Sequence, residues 1–164
     1  MSRAASRPCA LILAAGQGKR MRSRVVKLLH EVGGWPSVAH VVRAARAVPC
    51  RRVVAVLGVQ RDEVRAAIEA ASPEERVSFC VQAEQRGTAH AVLAAEKSLR
   101  RETGTLLILN GDVPLARPGT LRALLAHHAR TGAAFTGEVM DLDAPMARPV
   151  PQLLSRPSLR SRRR

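Results

Sequence analysis

The residues best suited to chemistry form a glycine turn with a basic segment directly behind it. An apolar run over residues 10–15 leads into Gly16-Gln17-Gly18. Glycine has no Cβ, so backbone N–H groups at this turn can approach a ligand closely. Clustered cations follow: Lys19, Arg20, Arg22, Arg24 and Lys27. The pattern favours a cradle for phosphate oxygens, with Arg20 and Lys27 neutralising their charge. The alternative is an ordinary strand-to-helix turn beside a solvated basic face.

Two common phosphate-binding motifs do not fit this stretch. A Walker A loop needs Gly at position 13 and Ser or Thr at position 20, where Leu13 and Arg20 stand. The dinucleotide fingerprint G-x-G-x-x-G needs a third Gly at position 21, where Met21 stands. A phosphate site here is therefore of a different kind.

Two further polar segments follow apolar runs later in the chain. Residues 82–88 follow the run that begins at Val77, and Asn110-Gly111-Asp112 ends the run over 105–110. The carboxyl ends of parallel strands meet at one edge of a sheet, where ligands bind in open α/β folds. We therefore expect these segments and the glycine turn to converge.

These segments supply the candidate metal and base contacts. Asp112 is the candidate metal ligand, because a carboxylate beside a glycine at a strand end can hold a hard cation against a phosphate. A turn-forming Asp explains the same position equally well. Gln82 offers a donor and an acceptor to a base edge. Gly87 leaves room for a ring, and Thr88 is either a contact or a helix N-cap. The histidines show no metal-ligand spacing and are interpreted mostly as surface or packing residues.

Apolar strands and amphipathic helices alternate along the chain. Strands are predicted at 10–15, 53–57, 77–82, 105–110 and 133–140, with helices after Pro36, around 64–71, from Thr88 and from Pro118. This alternation predicts an open, mainly parallel α/β sheet with right-handed crossovers. At 164 residues, 46% of them hydrophobic, the chain suits one domain with a real core. It shows no membrane span and no signal peptide.

The formal net charge of +14 is unevenly distributed. Residues 1–143 hold 21 Lys and Arg against 13 acids, whereas residues 144–164 hold six Arg, no acid and several prolines. This change in composition predicts a folded part over 1–143 and a disordered basic tail over 144–164. Nucleic-acid binding is expected only as a weak effect of this tail, because no aromatic stacking platform supports it.

The cysteines bear on redox compartment. Cys9, Cys50 and Cys80 are odd in number, widely spaced, and in or beside apolar segments. They predict free thiols in or near the core and a reducing, cytoplasmic location.

Together these segments resemble the start of bacterial N-acetylglucosamine-1-phosphate uridyltransferase. The glycine loop alone marks the wider sugar-nucleotide transferase superfamily, and its combination with the Gln82 segment is more specific. The resemblance covers residues 9–128 and is carried by Leu13-Ala14-Ala15-Gly16-x-Gly18-x-Arg20-Met21, Lys27-x-Leu29-His30, Gly33-Gly34-x-Pro36, Gln82-x-Glu84-Gln85-x-Gly87-Thr88-x-His90-Ala91-Val92 and Gly111-Asp112-Val113-Pro114-Leu115. Lys19, Val26 and Asn110 depart from the family's usual Thr, Pro and Tyr.

The resemblance implies a fold, a reaction and a role for each matching position. The fold would be a Rossmann-like sheet with helices on both faces. The reaction would join UTP and N-acetylglucosamine 1-phosphate to form UDP-N-acetylglucosamine, a cell-wall precursor, and pyrophosphate. The implied roles are lining of the nucleotide site by Leu13, Ala14, Ala15 and Gly16, triphosphate contacts by Arg20 and Lys27, uracil recognition by Gln82, Gly87 and Thr88, a ribose contact by Gly111, and Mg²⁺ binding by Asp112.

The resemblance ends near Asp143. Where the family motif proceeds to Gly-Tyr-Gly-Arg, this chain reads Met146-Ala147-Arg148. The sugar-binding residues and second metal ligand of the family cannot be placed. The resemblance therefore implies a partial nucleotidyltransferase domain over 1–143, C-terminally incomplete and with weak or no turnover, which could self-associate through its sheet. The alternative is a non-enzymatic nucleotide-binding remnant or a basic-tailed nucleic-acid-binding protein.

Overall fold

Strand β1, Cys9–Ala14, is an inner strand of a four-stranded sheet. The structure is a computed structural model that describes residues 7–16, 23, 25–58, 60–74, 76–139 and 152–156. Its sheet has the order β5-β4-β1-β6, with all neighbours parallel. The other three strands are β4 (Arg52–Leu57), β5 (Val77–Val81) and β6 (Leu106–Asn110). The chain therefore adds strands on one side of β1 and then crosses to the other, which creates a switch point between β1 and β6.

The inner strands are buried on both faces, as their uninterrupted apolar sequences predict. Cys9 and Leu11 pack against Ala91 of a later helix, and Ile12, whose side chain alternates with theirs, is also fully buried. Strand β6 differs, because Leu107 and Leu109 are buried while Leu106 and Ile108 are exposed. Self-association through such a sheet stays a prediction.

Helices connect the strands of the sheet and pack against it. The first part of the chain holds α1 (Ser37–Arg46), α2 (Arg61–Ala71), α3 (Thr88–Ala94), α4 (Glu96–Leu99) and a 3₁₀ turn over Lys27–Leu29. Helix α1 buries Val38, Val41 and Val42, whose spacing places them on one helical face. Helix α2 carries Asp62 and Glu63 in its first turn, where carboxylates favour the helix dipole.

A small hairpin precedes α1 and was predicted only as a turn. Strands β2 (Glu31–Val32) and β3 (Trp35–Pro36) pair antiparallel around Gly33 and Gly34. Both glycines have positive φ, 58° and 80°, which a two-residue hairpin turn of this kind requires.

A second unit, 117–164, is separate by its internal contacts. It contains α5 (Pro118–Thr131) and an antiparallel pair of β7 (Phe135–Val139) with β8 (Gln152–Arg156). Gly132 ends α5 in the left-handed conformation, with φ 60°. Residues 152–156, which the sequence analysis placed in a disordered tail, form β8. Residues 140–151 and 157–164 lie outside the described part, so the predicted boundary at 143 and the rest of the tail stay predictions.

The predicted fold class is confirmed: the observed sheet is open and parallel, with helices packed on it. None of the described helices combines the length and the apolar character that crossing a bilayer requires.

Candidate functional site

The carboxyl ends of the four parallel strands bring the predicted polar segments to one edge. Ala14 is level with Leu57 of β4, which is level in turn with Val81 of β5. On the other side of β1, Leu13 is level with Asn110 of β6. The glycine turn, the 82–88 loop and the Gly111–Asp112 segment therefore share an edge.

The glycine turn is held closely by its neighbours. Ala14 and Ala15 are buried and Gly16 is exposed. A Cβ on Gly58, at the end of β4, would lie 2.4 Å from the Ala15 carbonyl oxygen, so only glycine fits there. A Cβ on Gly16 would have nothing within 4 Å among the described residues. The described residues thus leave space open above Gly16.

Arg20 lies outside the described residues, as do Lys19, Arg22 and Arg24. Its predicted contact with a triphosphate therefore stays a prediction.

Gly111 brings the end of β6 close to β1. Its N–H donates to the Leu13 carbonyl oxygen over 3.0 Å. A Cβ at this position would lie 3.0 Å from that oxygen and 3.1 Å from Cδ2 of Leu28. The tight fit fixes the position of Asp112, the next residue.

Lys27 and Asp112 meet at the switch point between β1 and β6. Lys27 Nζ lies 2.8 Å from Asp112 Oδ2, and the two side chains are 44% and 39% exposed. The sequence placed both at the site but did not predict that they pair. In such a pair the lysine can contact a phosphate, and the carboxylate can bind the metal ion that accompanies that phosphate.

Gln82 follows β5 directly at the same edge of the sheet and is almost fully buried, 5% exposed. Its backbone N–H donates to the Leu57 carbonyl oxygen over 2.8 Å. Its side-chain Nε2 donates to the Gly87 carbonyl oxygen over 3.3 Å and lies 3.0 Å from His90 Nδ1. The side-chain amide is therefore fixed by two partners, and the backbone of the residue by a third.

Gly87 and Thr88 begin helix α3 beside this amide. Gly87 occupies the N-cap position with φ 91°, so the N-cap alternative for Thr88 is wrong. Thr88 is the first helical residue and is exposed, which leaves its hydroxyl accessible.

Two residues of the site were missed as functional. Gln85, quoted only as part of a motif, donates from Nε2 to the Ala15 carbonyl oxygen over 2.6 Å and ties the 82–88 loop to the glycine turn. His90 was interpreted as a surface or packing residue but contacts the Gln82 amide. The sequence carried one signal for His90. It lies two positions after Thr88, in the first turn of the predicted helix, and is therefore close to the candidate base-contacting segment.

The cysteines do not supply a nucleophile. All three are free thiols, and burial raises the pKa of Cys9, Cys50 and Cys80. A raised pKa keeps each thiol protonated at neutral pH, so its reactive thiolate is scarce.

The residues at this edge fit a metal ion that a nucleotide carries. The described residues contain no cluster of three or more His, Cys, Asp or Glu suited to a metal. Mg²⁺, however, is often bound by one or two carboxylates together with substrate phosphates and waters. Asp112 offers one partly exposed carboxylate, 39% exposed, at the same edge of the sheet as the glycine turn and therefore suits that role.

A parallel sheet of this order, with polar side chains and glycine turns at its carboxyl edge, defines a doubly wound α/β nucleotide-binding domain. Residues 10–161 match the MobA-like NTP transferase domain, and the chain belongs to that family. It is a nucleotidyltransferase domain, and the resemblance predicted from its motifs is confirmed.

Known proteins place the chain more closely within this family. It is 47% identical to the bifunctional protein GlmU of Anaeromyxobacter sp. (strain K) over 136 residues. The matched stretch covers 83% of this chain and 28% of that protein. The chain spans about 28% of the length of such relatives and matches their N-terminal part.

Solved structures support the fold. A nucleotidyl transferase from Methanothermobacter thermautotroptrophicus has a TM-score of 0.62 at 23% identity, over 82% of this chain and 66% of that one. A UDP-glucose pyrophosphorylase complexed with UDP-glucose has a TM-score of 0.64 at 16% identity, over 82% of this chain and 58% of that one. At these identities the likeness concerns the fold alone.

Proposed function

We propose that this domain binds UTP with Mg²⁺ and carries the nucleotide half of a site that transfers a uridylyl group to N-acetylglucosamine 1-phosphate. The observation that carries the proposal is the shared edge at which Gln82, the glycine turn and the Lys27–Asp112 pair lie. The 47% identity to a protein named GlmU supports the choice of reaction.

In this proposal different segments of the edge bind different parts of the nucleotide. Gln82, Gly87 and Thr88 contact the uracil, and Gly111 contacts the ribose. Leu13, Ala14, Ala15 and Gly16 line the path of the phosphates. Gln85 holds the 82–88 loop against the glycine turn through its 2.6 Å hydrogen bond to the Ala15 carbonyl oxygen.

The phosphates then lie at the switch point. Lys27 acts there as a point charge, and Arg20 adds a forked contact. Asp112 would hold Mg²⁺, which supplies charge neutralisation on the triphosphate when it is bound.

The reaction is an in-line displacement. A phosphate oxygen of the sugar phosphate forms a bond to the α-phosphorus of UTP, and the bond from that phosphorus to the bridging oxygen breaks. Pyrophosphate leaves with the electron pair. The side chains need only position the reactants and neutralise charge, so most of the acceleration comes from those two effects.

Base selectivity tests the binding half of the proposal. Calorimetry with UTP, ATP and GTP in the presence of Mg²⁺ should show preference for UTP. Gln82→Ala should remove that preference while leaving the triphosphate contacts. Equal affinities for the three nucleotides in the unaltered protein would contradict the proposed base site.

Turnover tests the other half. We expect this chain alone to release little pyrophosphate from UTP and N-acetylglucosamine 1-phosphate, because an unpositioned acceptor forfeits much of the roughly 7 to 11 kcal/mol that proximity can supply. Asp112→Ala is the control for contaminating activity. Rapid turnover that depends on Asp112 would show that the chain carries a complete site. We place the protein in the cytoplasm, consistent with its three free thiols.

A further inference from the structure

The orientation of the Gln82 amide is determined by its two partners. The Gly87 carbonyl oxygen can only accept a hydrogen bond, so the amide nitrogen must face it, at 3.3 Å. The same nitrogen lies 3.0 Å from His90 Nδ1, and its second hydrogen points there. Nδ1 is therefore the acceptor, and the proton of the neutral imidazole is on Nε2.

This arrangement uses both N–H groups of Gln82 and leaves its oxygen for a ligand. Among the described residues, none donates to Oε1. The side chain is 5% exposed, and its backbone is tied to Leu57, so the amide has little room to rotate. Gln82 thus presents an acceptor and not a donor at the sheet edge.

We propose that His90 is a positioning residue that makes Gln82 selective for uracil over cytosine. The inference rests on the proposed function, which places the base at Gln82. Uracil carries a hydrogen on N3 that Oε1 can accept. Cytosine presents a lone pair at N3, which a fixed Oε1 repels. A free glutamine could turn its amide and donate to that lone pair, so selectivity depends on the partner that prevents the turn.

Two substitutions of nearly equal shape separate this role from packing. In His90→Asn, a side-chain oxygen replaces Nδ1 as the acceptor, whereas His90→Leu keeps the branched shape of Asn without an acceptor. Calorimetry with UTP and CTP in the presence of Mg²⁺ gives the ratio of the two affinities. His90→Leu should lower this ratio about two- to tenfold, the effect of one neutral hydrogen bond, and His90→Asn should keep it.

A matched control comes from another histidine in the same unit. His40 contacts the Val32 carbonyl oxygen at 2.7 Å on the hairpin before α1. His40→Leu should leave the UTP to CTP ratio unchanged. If His90→Leu weakens both nucleotides equally and keeps the ratio, His90 acts through packing alone and the inference is overturned.

The two proposals fail in different ways. A preference for UTP that survives in His90→Leu overturns only the role of His90. No preference in the unaltered protein overturns the base site and, with it, this inference.

A measurement on the unaltered protein applies even if His90→Leu does not fold. Long-range ¹H–¹⁵N NMR correlations of the imidazole should show the proton of His90 on Nε2, with Nδ1 unprotonated. A proton on Nδ1 in the neutral ring would overturn the inference, because two donors would then face each other.

Discussion

Lys27 and Asp112, 85 positions apart in the chain, form an ion pair with Nζ 2.8 Å from Oδ2. The pair spans the switch point of the sheet, where β1 and β6 meet. The Lys27 ammonium therefore lies close to where a metal ion bound to Asp112 would place its own positive charge. We expect the two cations to compete for Asp112 while no nucleotide is bound.

The competition predicts opposite effects of one substitution on two ligands. Lys27→Met should strengthen nucleotide-free Mn²⁺ binding by up to about fivefold, since an exposed ion pair contributes about 0.2–1 kcal/mol. The same change should weaken UTP binding, because a phosphate contact is lost. Calorimetry measures both, with Lys97→Met on α4 as an exposed control. Weaker Mn²⁺ binding in Lys27→Met would contradict the competition.

Asp112 separates the metal-binding interpretation from the turn-forming one. Asp112→Ala should remove the metal dependence of UTP binding and change the free energy of unfolding by less than about 1 kcal/mol, because the lost ion pair is exposed. Calorimetry with and without Mg²⁺ and thermal unfolding give the two quantities. Asp62→Ala on α2 is the control. Collapse of thermal stability with unchanged metal dependence would favour the turn-forming role.

Two glycines at the same edge should respond differently to alanine. Gly58→Ala places a Cβ 2.4 Å from a backbone oxygen of Ala15, which cannot move without shifting β1. We expect a loss of at least about 1–3 kcal/mol in unfolding free energy, the usual result of overpacking. Gly16→Ala meets nothing within 4 Å among the described residues and should keep stability while weakening nucleotide binding. Urea unfolding and calorimetry distinguish the two, and equal stability of both variants would contradict the close approach.

Gln85 should affect affinity without affecting base selectivity. Gln85→Ala removes the 2.6 Å bond to the Ala15 carbonyl oxygen and frees the 82–88 loop. Affinities for UTP and CTP should fall together, by up to about tenfold, the effect of one neutral hydrogen bond. The ratio measured by calorimetry should stay constant. A change in that ratio would show that Gln85 contacts the base itself.

The cysteines predict how stability changes at alkaline pH. Burial raises the pKa of Cys9, Cys50 and Cys80, so the folded protein keeps these protons at a pH where the unfolded chain has lost them. The stabilisation is fully present below the ordinary thiol pKa, about 8.5, and is lost as pH rises through the folded values. Urea midpoints at neutral and alkaline pH should therefore decrease less in Cys50→Ala than in the unaltered chain.

Thiol reactivity gives an independent check on the same burial. Iodoacetamide should modify Cys9, 2% exposed, far more slowly in the folded protein than in urea. Mass spectrometry of the peptides measures both rates. Equal rates in the two conditions would contradict a buried thiol.

The sequence alone determined the four strands of the main sheet and the edge at which function was sought. Apolar runs such as 53–57 have too few polar residues to face water, so they must form inner strands. Glycines and polar residues at the ends of those runs could then lie only at the carboxyl edge. These properties are local, and they are readable from residue types and spacing.

Only the tertiary structure decided which side chains pair across that edge. Lys27 and Asp112 approach through the order of the strands, because β6 crosses to the far side of β1. The contact of His90 with Gln82 depends on how the first turn of α3 is placed relative to the residue that follows β5. Hydrogen bonds and ion pairs of this kind depend on distances of about 3 Å between side chains on different elements. Sequence periodicity carries no information on such distances, so the fixed orientation of the Gln82 amide emerged only from the folded arrangement.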